Sequence, residues 1–316
     1  MLKHGALKKF VLGSAQFGMN YGINNLTKLN INAISSILDQ ANEAGITKID
    51  TARAYGDSES ILGNTLSALD IADNFLITTK LSPLPEFEGR ITAPTNSLKT
   101  AIEISIQSSI KNLQIESIDC LLLHRATHLF YDQGFILKEL IKLKEIGVIN
   151  SIGVSVQNPT ELKMALQCAV VSQIQMPFNI LDYRWSQSIK LINQEKKKRQ
   201  ISIYTRSAFL QGLLLVDEKR KWMLAHASKE HNAVMDVLKH FKIKFHRKSI
   251  SDLLINYVLG HSWVDGVVIG VDNCTQLAEN IEIFKNQVLS QEELKYIDLN
   301  RPKVSNKTLN PALWRW

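Results

Sequence analysis

Four side chains that can take part in proton transfer stand near the ends of three short apolar runs. Asp50 ends the run ITKID, and Tyr55 follows it by five residues. Lys80 ends FLITTK, and His124 ends IDCLLLH. Taken alone, each residue has a purely structural interpretation, such as a lysine that reaches solvent or an aspartate that caps a turn. Their repetition at the ends of successive runs indicates one shared site.

Together these four residues suit proton donation to a carbonyl oxygen. A tyrosine has an ordinary pKa of about 10 and is a weak acid near neutral pH, and a nearby ammonium lowers that pKa because it favours the phenolate. We expect Asp50 to hold Lys80 beside Tyr55. We expect His124 to donate a hydrogen bond to the oxygen that gains negative charge. Such a group protonates a carbonyl oxygen while hydride reaches the carbon.

The three strand ends must be brought together by the fold. Short apolar or β-branched runs alternate with amphipathic segments of helical spacing. The runs are continuously apolar, which is typical of parallel strands buried on both faces. The sequence therefore predicts an α/β protein, a single-domain (β/α)8 TIM barrel over residues 1–316, with a C-terminal tail from about residue 300 to residue 316. The predicted strands are FVLGSA, ITKID, FLITTK, IDCLLLH, INSIGVS, VSQIQMPF, ISIYTRS and VDGVVIG.

An open doubly wound sheet is the alternative architecture. Its nucleotide-binding form carries G-x-G-x-x-G after the first strand, whereas the first strand here continues as LGSAQFGMNYG, which lacks that spacing. In a barrel the active site lies at the carboxyl ends of the strands, and long loops at those ends shape it. Two segments, residues 81–96 and residues 216–231, are predicted to be such loops.

Composition narrows the classes of partner. The formal net charge of +7 is compatible with an anionic partner or with a solvated basic surface. The densest basic run, EKKKRQ, has no interleaved aromatic residue, so no nucleic-acid partner is expected. The three cysteines are far apart and lack metal-ligand spacing. No apolar stretch has the length of a signal peptide or a membrane span. We expect a cytoplasmic protein with no metal and no membrane partner.

The stretch GITKIDTARAYGDSESILG resembles the long signature of the aldo-keto reductase family. The order Asp50, Tyr55, Lys80 and His124 is similar to the catalytic tetrad of that family, and the resemblance continues to Asn280. It implies a (β/α)8 barrel and NAD(P)H-dependent reduction of an aldehyde or ketone. It also implies that Tyr55 is the general acid, tuned by Lys80 and Asp50, and that His124 polarises the carbonyl.

The same resemblance implies a set of cofactor-binding residues. Ser155 and Gln175 correspond to contacts of the nicotinamide carboxamide, although Val156 stands where the family has asparagine. Arg206 corresponds to a residue that stacks on the nicotinamide. Ser207, Leu210, Gln211 and Gly212, in RSAFLQGLL, would wrap the pyrophosphate with backbone N–H groups. The remaining implied contacts are Gly13, Ser14, Ala15, Asp50, Gly270, Asp272, Asn273, Gln276, Glu279 and Asn280.

The choice between NADP(H) and NAD(H) depends on Asp272. NADP(H) is the family expectation, but Asp272 stands where the family often has arginine or serine facing the 2′-phosphate. A carboxylate there would repel a phosphate and accept a hydrogen bond from a ribose hydroxyl. NAD(H) is therefore a competing expectation. Lys219 or Arg220, in the neighbouring segment, could restore phosphate binding.

The expected partner is a small-molecule carbonyl substrate. Its predicted contacts are Phe17, Tyr21, Tyr55, His124 and Arg125, and the tail segment LNPALWRW would cover the mouth of the site or pack on outer helices. RSAFLQGLLL and NPALW are loosely similar to aldo-keto reductases of bacterial surface-polysaccharide pathways, which suggests a sugar or sugar-derived carbonyl. A monomer or a small homo-oligomer is expected.

Two other function classes remain. The first is a non-catalytic barrel that binds a nicotinamide nucleotide as a sensor or regulatory subunit, although all four tetrad residues are present. The second is a metal-dependent sugar isomerase on the same fold. An isomerase needs acidic and histidine metal ligands at strand ends, where this chain places Lys80 and Tyr55.

Overall fold

The structure, a computed structural model, describes residues 7–23, 28–87 and 94–314. Eight parallel strands close into a barrel in sequence order, and β8 pairs with β1. This confirms the predicted (β/α)8 architecture, and each predicted run contains one strand. The strands are β1 Phe10–Gly13, β2 Lys48–Asp50, β3 Leu76–Lys80, β4 Cys120–Leu123, β5 Ile152–Ser155, β6 Val171–Pro177, β7 Ser202–Arg206 and β8 Gly266–Gly270.

Helices alternate with these strands and surround the barrel. They are α1 Ala15–Gly18, α2 Ile31–Glu43, α3 Ser58–Ala68, α4 Thr95–Leu113, α5 Tyr131–Glu145, α6 Pro159–Gln167, α7 Ser188–Lys198, α8 Lys219–Leu224, α9 His231–Lys244, α10 Ile250–Leu259, α11 Cys274–Lys285 and α12 Gln291–Asn300. None of the helices in the described ranges is long and apolar enough to cross a membrane.

Local sequence explains where several helices begin. The side chains of Asn158, Ser249 and Asn273 each accept a hydrogen bond from the backbone N–H three residues on, which satisfies a donor at the helix start. Pro159 occupies the first turn of α6, where no backbone N–H is needed. Ser290 forms a capping box at the start of α12.

The strands are buried on both faces, as their continuous apolar runs predict. Adjacent strand residues point to opposite faces of a sheet, yet Val11 and Leu12 are both fully buried. One face fills the barrel and the other packs against helices, as where Phe10 meets Phe284 of α11 with ring centres 4.6 Å apart. This burial orders the strand ends that carry the site.

One of the two predicted loops contains a short helix. Residues 216–231 contain α8, whose Trp222 is fully buried and donates from Nε1 to the Val216 carbonyl at 2.8 Å. The sequence did not predict this helix, because a single buried indole, rather than a repeated apolar stripe, holds it. In the other segment, residues 88–93 lie outside the described residues, and α4 begins at Thr95.

The tail that follows α12 packs on the loops after β6 and β7. Thr308 is fully buried and donates to Glu230 at 2.7 Å, and the Tyr183 hydroxyl donates to the Val304 carbonyl at 3.4 Å. Trp314 is buried and donates from Nε1 to the Thr308 carbonyl at 3.1 Å. The described part of the tail therefore belongs to the carboxyl-end face of the barrel. Residues 315–316 lie outside the described residues.

Candidate active site

A buried ion pair joins the ends of β2 and β3. Lys80 Nζ lies 2.7 Å from Asp50 Oδ2 and donates to the Thr51 carbonyl at 2.8 Å. Gln175, from β6, donates from Nε2 to Asp50 Oδ1 at 2.6 Å. Lys80 and Asp50 are 1% and 3% exposed, so each charge depends on the other for compensation. The structure thus places both residues together, as the sequence predicted.

Tyr55 and His124 complete the group. Lys80 Nζ lies 4.9 Å from the centre of the Tyr55 ring, and the rings of Tyr55 and His124 meet edge to face with centres 6.3 Å apart. His124 directly follows β4, and both rings are half-buried. All four predicted side chains therefore converge at the carboxyl ends of β2, β3 and β4.

The turn that carries Tyr55 is held by close backbone contact. A methyl group added to Gly18 would lie 1.8 Å from the Tyr55 carbonyl oxygen, and one added to Gly56 would lie 2.5 Å from the Gly18 carbonyl oxygen. Gly56 also has a φ of 58°, which favours glycine. Behind this contact, the Ser58 hydroxyl donates to the Ser14 carbonyl at 2.9 Å. The turn and α1 are therefore packed as one unit.

Burial and neighbouring charges shift the pKa values of these groups. Burial, reinforced by Lys80 and Arg206, lowers the pKa of His124 to about 3, so the imidazole is neutral near pH 7. Burial also lowers the pKa of Lys80, and Asp50 opposes that shift. The pKa of Tyr55 is raised by burial and then by Asp50, while Arg206 lowers it. The sequence predicted a lowered Tyr55 pKa, and desolvation reverses that sign.

An open cavity of about 330 Å³ runs from Tyr55 and Asp50 to the start of α11. Tyr21 also lines it, and burial, then Tyr55, raises the pKa of the Tyr21 phenol to about 12. Most of the residues that the family resemblance assigned to the cofactor line this cavity. They are Gly13, Ser14, Ala15, Asp50, Arg206, Ser207, Gln211, Gly212, Gly270, Asp272, Gln276, Glu279 and Asn280.

Four other predicted cofactor residues are not among those that line this cavity. Ser155 and Gln175 are buried at the ends of β5 and β6, and Asn273 caps α11. Leu210 is 1% exposed, and its backbone N–H donates to the Ser207 carbonyl at 2.9 Å. The N–H of Gly212 likewise donates to the Phe209 carbonyl at 3.0 Å. These two N–H groups are occupied within the loop itself, which corrects their predicted role toward the pyrophosphate.

Phe17 was wrongly predicted to contact substrate. It is completely buried in the core, because α1 packs its apolar side against the barrel. His124 and Arg125 follow β4 and are not among the residues that line the cavity, and Arg125 is exposed.

Gln16 lines the cavity but was not predicted from the sequence. Its side-chain amide occupies the space that a side chain on Gly270 would fill. The one sequence signal for Gln16 is that it directly follows Ala15, a predicted cofactor contact.

The residues present fit a nicotinamide nucleotide. Gln175 Oε1 is buried and has no hydrogen-bond partner among the described residues, beside the Asp50 carboxylate that lines the cavity. Such an acceptor matches a carboxamide N–H, because a buried polar atom without a partner is destabilising. The cavity is lined both by Arg206, at the end of β7, and by residues of α11. Within the described ranges, no group of three or more acidic, cysteine or histidine side chains could hold a metal ion.

Comparison with known proteins identifies the family. The family model of the aldo/keto reductases matches residues 9–300. The uncharacterized oxidoreductase YqkF of Bacillus subtilis is 26% identical over 273 residues, which cover 84% of this chain and 86% of that protein. Methylglyoxal reductase DkgA of Yersinia pestis is 32% identical over 122 residues, which cover 37% of this chain and 38% of that protein.

A solved structure shares the fold over nearly the whole chain. The holo form of aldo-keto reductase AKR11C1 from Bacillus halodurans has a TM-score of 0.72 at 20% identity, covering 96% of this chain and 95% of that one. At 20% identity this similarity shows only that the two proteins share the barrel fold. The assignment to a family rests on the family model that matches residues 9–300. The chain belongs to the aldo/keto reductase family and is an NAD(P)H-dependent oxidoreductase.

Proposed function

We propose that this chain reduces the carbonyl group of a small aldehyde or ketone to an alcohol, with Tyr55 as the proton donor. The observation that carries this proposal is the convergence of Tyr55 with Lys80, 4.9 Å from its ring centre, and with His124 at 6.3 Å. The name of the methylglyoxal reductase relative supports a small carbonyl substrate. The loose similarity to the surface-polysaccharide members makes a sugar-derived carbonyl the first class to test.

The chain's own residues supply the proton and the electrostatics. A bound reduced nicotinamide supplies the hydride. The Tyr55 hydroxyl donates its proton to the carbonyl oxygen, and the Lys80 ammonium stabilises the phenolate that remains. Asp50 keeps that ammonium in place at 2.7 Å. His124 is neutral and donates an N–H to the same oxygen as it gains negative charge.

The cofactor would be held along the cavity. Gln175, whose unpartnered Oε1 lies beside Asp50, and the neighbouring Ser155 suit the nicotinamide carboxamide. Arg206, which lines the cavity together with Tyr55 and Asp50, would lie beside the nicotinamide ring. Ser207, Gln211 and Gly212 also line the cavity, and the adenosine end of the cofactor would meet the start of α11. The residues proposed there are Asp272, Asn273, Gln276, Glu279 and Asn280. Members of the family generally bind NADP(H) or NAD(H). We propose that Asp272 determines which of these two cofactors the chain prefers.

Asp272→Arg is expected to shift cofactor preference toward NADPH by about tenfold, because a guanidinium attracts the 2′-phosphate that a carboxylate repels. The backbone N–H of Asp272 donates to Gln276 Oε1 at 2.9 Å, so the loop keeps this contact in the variant. Fluorescence titrations give the dissociation constants of NADPH and NADH for both proteins. Asp272→Asn, which only removes the charge, should shift the ratio less. An unchanged ratio in both variants would show that Asp272 does not face the ribose.

Gly18→Ala is expected to lower kcat and to destabilise the protein by about 1–3 kcal/mol, because an added methyl overlaps the Tyr55 carbonyl and forces the two backbones apart. Thermal unfolding and steady-state kinetics measure the two effects. Gly147→Ala is the matched control: its φ of 78° strains the same substitution, but nothing lies within 4 Å of the new methyl. Full activity in a stable Gly18→Ala protein would mean that this contact does not position Tyr55.

The rate of carbonyl reduction is expected to be flat from about pH 6 to about pH 9. His124 keeps its neutral form throughout because its pKa is lowered to about 3. Tyr55 keeps its proton because its pKa is raised above the ordinary value. The measurement is kcat/KM for a non-ionising aldehyde at saturating cofactor. A loss of activity as pH rises through about 6.5 would instead identify a protonated histidine as the required form.

The proposed function is tested by a titration followed by an assay. The purified protein is titrated with NADPH and NADH in parallel, and the tighter ligand is then supplied with aldehydes and keto-sugars while its absorbance is followed. Binding with carbonyl-dependent oxidation of the cofactor supports the proposal. Binding without turnover of any carbonyl, or no binding at all, contradicts it.

A further inference from the structure

Arg206 stands at the reacting end of the cavity. It is the last residue of β7 and lines the cavity together with Tyr21, Tyr55 and Asp50. Its Nη2 donates to the carbonyl of Val156, just beyond β5, at 3.4 Å. The guanidinium thus reaches across the carboxyl ends of the barrel, beside the groups proposed to hold the substrate carbonyl.

The charge of Arg206 is not neutralised nearby. Lys80 is paired with Asp50 at 2.7 Å, and the other Asp50 oxygen accepts from Gln175. Among the residues that the structure describes, no carboxylate forms an ion pair with Arg206. The acidic residues Asp272 and Glu279 also line the cavity, but they lie just before α11 and within it rather than at the end of β7. The positive charge of Arg206 therefore has no ion-pair partner among the described residues, beside Tyr55 where hydride transfer is proposed to occur.

We propose that Arg206 makes the site bind the reduced form of the nicotinamide nucleotide in preference to the oxidised form. This inference rests on the proposed function, because the ring that delivers hydride must lie against the carbonyl beside Tyr55. The oxidised ring carries a positive charge and the reduced ring is neutral, whereas the rest of the nucleotide is the same in both forms. A guanidinium in a partly buried site repels only the oxidised ring.

A preference for the reduced cofactor would affect the direction of the catalysed reaction. When both cofactor forms are present, the form with the higher affinity occupies the larger share of the enzyme. Tighter binding of the reduced form therefore favours the enzyme complex that can donate hydride. Repulsion of the oxidised ring favours release of the spent cofactor. The residue therefore biases the enzyme toward carbonyl reduction rather than alcohol oxidation. An uncharged aromatic side chain at this position would lack the bias.

The experiment compares dissociation constants of the reduced and oxidised forms, using whichever pair, NADPH with NADP⁺ or NADH with NAD⁺, binds more tightly. The reduced form is expected to bind the wild type about tenfold or more tightly than the oxidised form. Arg206→Gln, which keeps a planar polar group without charge, should bring the ratio close to one, chiefly by tightening the oxidised form. Arg206→Lys keeps the charge and should keep the ratio.

Two controls isolate the ring charge. ADP-ribose, or its 2′-phosphate, lacks the nicotinamide and should bind wild type and Arg206→Gln alike. Lys198→Gln removes a positive charge from the exposed end of α7, remote from the cavity, and should leave the ratio unchanged. Circular dichroism and thermal unfolding confirm that the variants are folded.

The outcomes are distinct. Equal affinity for the two forms in the wild type, or a ratio that Arg206→Gln does not change, would overturn this inference and leave carbonyl reduction standing. A ratio lost equally in Arg206→Lys and Arg206→Gln would assign the effect to shape and also overturn it. Failure of the wild type to bind either form would overturn the proposed function and the inference together.

Discussion

Tyr55→Phe is expected to lower kcat by about two to four orders of magnitude while reduced cofactor still binds. The substitution removes only the hydroxyl that is proposed to give its proton to the carbonyl oxygen. The ring remains, with its contacts to Lys80 at 4.9 Å and His124 at 6.3 Å. The fold should therefore change little, and single-turnover kinetics should assign the loss to the chemical step.

A second phenol in the same cavity provides the comparison for this variant. Tyr21 lines the cavity, and burial raises the pKa of its phenol, as it raises that of Tyr55. Tyr21→Phe should alter KM more than kcat, since the ring that the Lys80 ammonium contacts, at 4.9 Å, is that of Tyr55. If Tyr21→Phe abolished turnover and Tyr55→Phe kept it, the proton donor would have to be reassigned to Tyr21.

Lys80→Met is expected to abolish reduction and also to destabilise the fold by about 3–5 kcal/mol. The ammonium is buried and lies 2.7 Å from a carboxylate that is equally buried. Removal of the lysine leaves Asp50 charged and uncompensated, with Gln175 as its remaining side-chain partner. Denaturant unfolding measures the change in stability, and steady-state kinetics measures the change in activity.

A double variant separates the two effects of Lys80. Asp50→Asn combined with Lys80→Met removes both buried charges and should recover most of the lost stability, because neither partner remains unpaired. Its activity should stay absent, since no cation is left beside Tyr55. Recovery of activity in the double variant would show that the lysine acts only by neutralising Asp50, and our account of Tyr55 would be wrong.

Much of the fold could be predicted from the sequence, because in a barrel the local pattern of each strand also fixes where the end of that strand lies in the molecule. Eight continuously apolar runs specify parallel strands buried on both faces, and the strands do close in sequence order. Since every parallel strand ends at the same face, the last polar residue of a run is placed at the site. This is why Asp50, Lys80 and His124 could be identified without a structure.

Helix α8 could not be predicted in the same way. It is six residues long and is anchored by one indole, Trp222, which is too little for a periodic signal. Phe17 shows the same difficulty at the site, because an aromatic residue beside a cavity has the same sequence signature as one buried in the core. Only its complete burial distinguishes the two.

By itself the sequence determined the fold class and the strand ends, and it indicated the four residues for which proton transfer is proposed. The tertiary structure decided which groups face the cavity, which backbone N–H groups are already occupied, and the direction in which the Tyr55 pKa moves. These depend on contacts between residues far apart in the chain, such as the bond from Gln175 to Asp50 across 125 residues. Desolvation is set by everything packed around a group, so no local pattern encodes it.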